Sequence, residues 1–442
     1  MNTSKFFELA KQSGISECQL QICKNSNTKI KLFRGEIDEF KVSQSSRIYA
    51  CGIYEGKRGF AYSEKLDSKA FENLVNAIIL SAKYNDKPDI VGIFKGEERY
   101  KKRNCYNKEL PAISLEEKIA LLRKLEKSIL SQSELVSEAD GVSYAEAESE
   151  MTMLNSFGLK LKNKNNFFYF IGGAVVKKDG ETKTYYQDYF GQDLKSFDPD
   201  ELAKTVVDRA IAKLGGNSVD SGNYPVILDR DAFASLLGYY VDAAVADTVQ
   251  RHSSFLEGRL GTKVAAGKVT ITEDPLKKGP FYSYFDDEGV ATKKKDIVKR
   301  GVMQTYLYNR ETAKKDGRET TGNGSIESGK IGTDYGSIYV KPGKKSLDDL
   351  AAKINKGVYI TELGGLGTGM NSESGNFSCQ AEGFAIEGGK IRYDRPIALI
   401  TLSGNLLKML SQISGLDNRC KLDSSGFCVP DAFIKKMAIG GN

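Results

Sequence analysis

The sequence predicts an α+β fold: an N-terminal α/β region of antiparallel sheets with packed helices, followed by a mainly β C-terminal domain with one long buried helix. Three observations predict it. Apolar and polar residues alternate over residues 17–63 and again over 165–190, between glycine-containing turns. Segments with helical apolar spacing and N-cap residues interrupt these runs. Beyond residue 257 the chain is mostly glycine-rich strand and loop material. At 442 residues it is too long for one core of ordinary size, and the boundary is expected in GGNSVDSGNYP. That gives an N-terminal domain of residues 1–218, divisible at 110/111, and a C-terminal domain of residues 222–442.

Phe6, Leu9 and Ala10 stand at helical spacing in an opening stretch without a long apolar run, so neither a signal peptide nor a membrane span is expected and the chain reads as cytoplasmic. Residues 17–63 read as an antiparallel meander with turn signals at Asn25–Ser26–Asn27, Gly35 and Glu55–Gly56. Phe71, Leu74, Val75, Ile78 and Ala82 then share a helical face, with Asp67 or Ser68 as N-cap. After a lysine-rich connection, Ser114 and Glu117 have capping-box spacing before a helix carrying Leu115, Ile119, Leu122, Leu125 and Ile129. Asp179–Gly180 marks a hairpin turn, and Asp198–Pro199 opens a helix that stops at Gly215–Gly216. The strand YPVILD leads into a helix whose apolar stripe runs from Phe233 through Leu237, Val241 and Ala244 to Val249. Short helices are expected at SLDDLAAKIN and GNLLKMLSQISG.

Seven cysteines without CxxC spacing fit reduced thiols. The net charge of +6 is dispersed over lysine pairs and triples such as Lys293–Lys295, which read as solvated surface. A pI near 8.6 without a clustered basic face makes nucleic acid an unlikely partner. A single histidine, His252, cannot supply the paired imidazoles of ordinary zinc peptidases. Nor does its neighbourhood with Ser253 and Ser254 make a triad, because triad members converge in space rather than in sequence. GSIESGKI, residues 324–331, matches a phosphate loop only in part and leads toward a strand. Asp286, Asp287 and Glu288 in FDDEGVAT admit an acid/base or metal cluster, but a turn at Gly289 accounts for them more simply.

SSFLEGRLGTKVA, ITEDP, FDDEGVATKKKDIVKRGVMQTYL and ETTGNG, in this order and spacing, resemble the TldD/PmbA (TldE) family, formerly described as modulators of DNA gyrase. The resemblance extends to the final KKMAIGGN and more loosely to FRGEIDEFKV and GKRGFAYS. It implies a cytosolic two-subunit metalloprotease complex that degrades unstructured peptides or trims peptide precursors, holding an extended peptide substrate by its main chain. Catalytic subunits of the family carry HExxxH, and an ungapped count back from Gly258, Leu260 and Gly261 puts its three functional positions on Leu237, Gly238 and Asp242. The motif is absent.

The resemblance therefore implies a non-catalytic subunit with no metal of its own, zinc residing in a TldD-like paralogue, and pairing as a heterodimer with that paralogue or as a homodimer. Asp286, Asp287, Glu288 and Gly289, with Thr320, Thr321, Gly322, Asn323 and Gly324, are expected to be substrate-cavity or interface elements. Cys420 and Cys428 lie where the family's cysteine ligand would fall, without either being assigned. Two other readings stand beside this one: a metallopeptidase active through unconventional ligands or as a homodimer, and a regulatory DNA gyrase-linked binding protein.

Overall fold

A computed structural model of the chain describes residues 3–65, 67–327 and 330–442. Helix α1 (Ser4–Gln12) precedes the strands β1 (Glu17–Phe33), β2 (Glu36–Tyr54) and β3 (Lys57–Ser63), which form the expected meander. Its two tight turns place Arg34, Gly35, Glu55 and Gly56 at φ of 51°, 82°, 49° and 71°, the doubly positive pattern that suits right-twisted hairpins. The Asn25–Ser26–Asn27 turn signal is overridden, because β1 runs through it unbroken. Asn25 pairs with Ser45 on one side and Ser149 on the other, so two ladders satisfy a backbone that a turn would have satisfied locally.

Helix α2 (Ser68–Lys83) starts at Asp67, whose carboxylate accepts the Ala70 N–H at 2.7 Å. It lies so close on the sheet that a Cβ on Gly59 would stand 1.9 Å from the Ile78 carbonyl, so only glycine fits there. Helix α3 (Leu115–Ser131), capped by Ser114, leads to β4 (Val136–Asn155), β5 (Lys160–Lys178) and β6 (Glu181–Gly191), and then to α4 (Pro199–Ala212), capped by Asp198. All six strands make one antiparallel sheet in the order β3-β2-β1-β4-β5-β6. Leu122, Leu125 and Ile129 of α3 and Val206 and Val207 of α4 bury against Tyr144, Phe168 and Phe170 on one face.

The following part builds two larger sheets and a two-stranded one. Strand β7 (Gly222–Leu228) precedes α5 (Arg230–Asp242), α6 (Ala246–Gln250), β8 (Ile271–Glu273), β9 (Lys295–Lys299), β10 (Val302–Met303) and α7 (Arg310–Lys315). Next come β11 (Gly324–Glu327), β12 (Lys330–Thr333), β13 (Ile338–Val340), α8 (Leu347–Ala351), β14 (Lys356–Gly364), α9 (Leu366–Gly369) and β15 (Met370–Asn371). The chain ends with β16 (Asn376–Glu387), β17 (Lys390–Asn405), α10 (Leu406–Ser411), β18 (Ile413–Leu416), β19 (Lys421–Leu422), β20 (Phe427–Val429) and β21 (Ala432–Gly440). Because β14 pairs with both β7 and β16, strands β14, β7, β21, β17 and β16 close into a ring. The other larger sheet has the order β10-β9-β8-β13-β20-β19. In the GSIESGKI run, β11 and β12 form a hairpin rather than a strand–helix phosphate loop; Ser328 and Gly329 lie outside the described residues.

The long buried helix needs correction. Helix α5 is buried as expected, with Phe233, Leu236, Leu237, Tyr240 and Val241 in the core. It ends at Asp242, however, and the apolar stripe continues through a break into α6. The break has an identifiable cause: Ala246 N–H donates to the Leu307 carbonyl and Leu307 N–H to the Ala244 carbonyl, each at 2.9 Å, and this bridge takes the Ala246 donor and the Ala244 acceptor out of helical pairing. Among the described residues no helix is long and apolar enough to cross a membrane.

Candidate functional site

The positions on which the ungapped count places HExxxH, Leu237, Gly238 and Asp242, lie on α5. Leu237 is fully buried in the hydrophobic core. Gly238 faces the Phe427 ring of β20, and Asp242 accepts a hydrogen bond from the Tyr335 hydroxyl at 2.8 Å. Tyr335 and Phe427 meet edge to face at 6.3 Å. Between them, these three positions supply one carboxylate already engaged by a phenol, which is not the ligand set zinc takes. Among the described residues there is no group of three or more His, Cys, Asp or Glu placed to hold a metal. The space around Gly238 gives a direct prediction. A Cβ there would meet only Phe427 Cζ, at 3.9 Å, so Gly238→Ala should stabilise the chain by about 0.5–1 kcal/mol through helix propensity. A fall in the chemical-denaturation midpoint would contradict this packing.

His252 is a surface residue, its side chain 79% exposed and its Nδ1 2.7 Å from Glu257 Oε1. Ser254 turns away to donate to the Ala243 carbonyl. Sequence neighbours thus point apart here, and among the described residues the imidazole's hydrogen-bond partner is a carboxylate, not a nucleophilic hydroxyl or thiol.

The two segments singled out downstream do meet. Asp286–Gly289 is a tight turn in which Gly289 adopts φ 86°, and Asp286 Oδ1 accepts the N–H groups of Glu288 and Val290. Asp286 Oδ2 accepts the Gly324 N–H at 2.8 Å, while Asp287 N–H returns a bond to the Gly324 carbonyl at 2.9 Å. A Cβ on Gly324 would stand 2.6 Å from Glu288 Cγ, so the approach of the two segments depends on that glycine. The Asp287 side chain reaches in two directions, accepting from Ile326 N–H at 2.7 Å and from Gln21 Nε2 at 3.0 Å. Gln19 donates to the Asp287 carbonyl at 2.8 Å. The turn therefore joins the C-terminal sheets to β1 of the N-terminal sheet. Of the other segment, Thr320 donates to the Tyr308 carbonyl, Thr321 accepts the Tyr308 N–H, and Gly322 takes φ 71°.

Asn323 leads to a network that the sequence reading missed. Its Nδ2 donates to Glu273 Oε1 at 2.9 Å and to the Asp334 carbonyl at 2.8 Å, and its Oδ1 accepts from Lys295 Nζ at 2.8 Å. Lys295 and Glu273 form an ion pair at 2.5 Å with their side chains 8% and 2% exposed. Lys295 is therefore not solvated surface, as the Lys293–Lys295 triple suggested. It opens β9 directly opposite Glu273 on β8, where strand alternation turns it inward. Burial draws its ammonium below the ordinary lysine range, against the pull of Glu273.

A second missed cluster lines the seam beside the turn. Arg310 sends Nη1 to the Gly92 carbonyl and Nη2 to the Val91 carbonyl, each at 2.7 Å, and its backbone N–H donates to Glu288 Oε2 at 2.7 Å. Arg58 pairs with Asp89 at 2.5 Å and donates to the Gly92 carbonyl at 2.7 Å. A cleft of about 760 Å³ opens along this seam, lined by Arg58, Tyr62, Asp89, Glu288, Glu311 and Lys330, among others. A smaller one of about 530 Å³ includes Glu97, Lys293 and Thr320.

These carboxylates shift in opposite directions. Burial, and for Asp286 the charge of Glu288, raises Asp286 well above the carboxylate range; burial raises Asp287 and Glu288 as well. Burial also pushes Asp89 upward, but the Arg58 hydrogen bond and charge and the Gly92 and Val91 N–H groups bring it below 3.8. A raised group contributes stability that is fully present below its unfolded pKa and lost as pH rises through the folded one; a depressed group does the reverse. The thermal midpoint should therefore rise as pH falls from neutrality towards 4.5 and turn down below 3.8. Asp286→Asn should flatten the rise and Asp89→Asn the fall. A midpoint that drops steadily from pH 7 would mean that the turn's carboxyls are ionised in the fold.

Known proteins resemble the chain along its length. A family model described as PmbA/TldA metallopeptidase C-terminal domain matches residues 221–441, and one described as the central domain of the same metallopeptidase matches residues 108–214. The metalloprotease PmbA of Escherichia coli O157:H7 is 25% identical over 443 residues, spanning 99% of this chain and 95% of that protein. A Methanocaldococcus jannaschii metalloprotease is 27% identical over 431 residues, spanning 94% and 92%. A Thermotoga maritima crystal structure described as a modulator of a DNA gyrase superposes with a TM-score of 0.91 at 26% identity, over 99% of each chain. TldE from Thermococcus kodakarensis shares the fold, with a TM-score of 0.90 at 21% identity over 99% of this chain and 100% of that one.

Proposed function

The chain belongs to the PmbA/TldD metallopeptidase family, and from that premise we propose that it is the subunit without a zinc centre in a cytosolic two-subunit peptidase complex acting on unstructured peptides or peptide precursors. The observation that carries this reading is α5. Leu237 is core, Gly238 has no side chain, and Asp242 is held by Tyr335, so the helix that bears the catalytic motif in TldD-type chains has here become a packing helix. The fold shared with a TldE structure supports the same assignment. Zinc, supplied by an HExxxH-bearing paralogue, would activate the attacking water. This chain's contribution would be to complete the substrate chamber, with the Asp286–Gly289 turn and the Thr320–Gly324 segment shaping the wall beside the cleft that Glu288 lines.

The chain purified without a histidine tag should hold less than about a tenth of an equivalent of zinc after dialysis. It should cleave an unfolded peptide only when combined with an HExxxH-bearing member of the family. In that complex Glu288→Gln should reduce cleavage while leaving assembly intact. Several relatives are named metalloproteases, which favours the competing reading of an enzyme active by itself. Near-stoichiometric zinc, with chelator-sensitive cleavage by this chain alone, would establish that reading and overturn ours. The gyrase-linked description of the Thermotoga protein would gain support only from salt-sensitive DNA binding.

A further inference from the structure

Cys420 and Cys428 carry an inference that is independent of the peptidase reading. The chain has seven cysteines, and all are free thiols in the structure. In this one pair the sulfurs stand 2.8 Å apart, closer than two unbonded sulfurs ordinarily approach. The hairpin of β19 and β20 explains the proximity. Leu422 lies directly opposite Cys428, and Cys420, two residues before Leu422, projects to the same face as the diagonal neighbour of Cys428.

The connecting turn holds this register. Asp423 Oδ1 accepts the N–H groups of Ser425 and Phe427 at 2.9 and 2.8 Å, Asp423 N–H donates to the Phe427 carbonyl at 2.8 Å, and Gly426 takes φ 89°. On its other side β20 is fixed by parallel pairing with β13, Tyr339 lying opposite Cys428. The two thiols are unequal in access, Cys420 being exposed and Cys428 buried. An exposed sulfur that meets reagents first, with a sheltered sulfur in contact behind it, is the arrangement of an attacking and a resolving cysteine.

We propose that Cys420 and Cys428 are a redox modification site, a dithiol that low-molecular-weight disulfides convert reversibly to an intramolecular disulfide. The Cys420 thiolate attacks one sulfur of the external disulfide RSSR; a Cys420–S–S–R bond forms, the RS–SR bond breaks and one RS⁻ leaves. Cys428 releases its proton to water, and its sulfur attacks the Cys420 sulfur, forming the protein disulfide and expelling the second RS⁻. Two protein thiols are thereby oxidised by two electrons, and RSSR is reduced to two thiols. Burial, together with the neighbouring Cys420, pushes the Cys428 thiol up to about 12, so Cys428 waits as a thiol until the mixed disulfide is in place. The Lys277 ammonium, 4.1 Å from the Tyr339 ring, is the nearby cation that favours its thiolate. Closing the bond would tie residues 418–420 to β20, the strand whose Phe427 covers Gly238 of α5.

The test uses the full-length chain and oxidised glutathione. After incubation, alkylation in denaturant should find two of the seven thiols lost and no glutathione retained. Trypsin, cutting after Arg419, Lys421 and Lys435, should then release one cross-linked peptide containing Cys420 and Cys428, which a reductant separates. Cys428→Ser should instead accumulate glutathione on Cys420, and Cys420→Ser should leave Cys428 unmodified. If Cys428→Ser does not fold, Cys428→Ala serves the same purpose. Glutathione retained on Cys420 of the wild-type chain, or all seven thiols still free, would overturn the proposal.

Discussion

Glu273→Ala destabilises the C-terminal part by about 3–5 kcal/mol, the range for removing one partner of a buried ion pair. The loss exceeds that of a simple contact because Glu273 serves three donors. Lys295 Nζ, Asn323 Nδ2 and the Gly336 N–H all converge on its two oxygens. Without the carboxylate, an ammonium 8% exposed keeps the Asn323 oxygen as an acceptor and the more distant charge of Asp286, and it neutralises or draws water into the core. Lys295→Met is expected to cost less, since Glu273 keeps two hydrogen-bond donors. In the double variant Glu273→Ala/Lys295→Met the penalties should fall well short of additive, because no uncompensated charge remains. Denaturant unfolding of the three variants measures this coupling. Additive losses would mean that the two charges do not depend on each other. The exposed pairs Lys204–Asp208 and Lys195–Glu109 should be near neutral by the same measurement, since solvent screens them.

What the sequence made legible follows from the range of the forces involved. Caps are local, and Asp67, Ser114, Asp198 and Ser346 each accept an N–H two or three residues onward, as their spacing predicts. The Asp179–Gly180 turn is equally local, with both residues at positive φ. Nonlocal pairing overturned the local signals. Ladders on both sides carried β1 through Asn25–Asn27, and the bridge to Leu307 divided one apolar stripe between α5 and α6. Lys295 was hidden for a related reason: two lysines precede it, and nothing nearby in the chain shows that Glu273 stands opposite. The placing of HExxxH on Leu237, Gly238 and Asp242 rests on an ungapped count from Gly258, Leu260 and Gly261. What surrounds those positions, Tyr335 from a loop and Phe427 from β20, required the fold.

Arg310→Ala is the other change with a large expected effect, about 3 kcal/mol, on the ground that hydrogen bonds from charged donors are worth about 1.5–3 kcal/mol each. Both guanidinium donors end on backbone carbonyls of residues 91–92, and the side chain lies 5.1 Å over the Phe94 ring. That irregular segment belongs to the N-terminal part, whereas Arg310 opens α7 of the C-terminal part. Lys314, farther along α7, donates to the Ile90 carbonyl, and Arg58 holds the same loop from β3 through Asp89 and Gly92. Removing the Arg310 side chain also takes away a positive charge that opposes the burial-driven rise of Glu288, so the seam loses one attachment and Glu288 is raised further. Arg310→Lys should recover less than half of the loss, because an ammonium cannot reach two carbonyls in the fork geometry of a guanidinium. Limited proteolysis within residues 84–110, faster in Arg310→Ala than in wild type while the sheets stay intact, distinguishes release of the loop from global unfolding. Unchanged cleavage there would mean that the loop's other attachments, Arg58 and Lys314 among them, hold it without Arg310. Because Arg58, Asp89 and Glu288 line the cleft, a released loop would also open the wall that we assign to the substrate chamber. A complex containing Arg310→Ala should then lose peptide cleavage in proportion to the cleft's disorder, even though Arg310 itself is not among the cleft's lining residues.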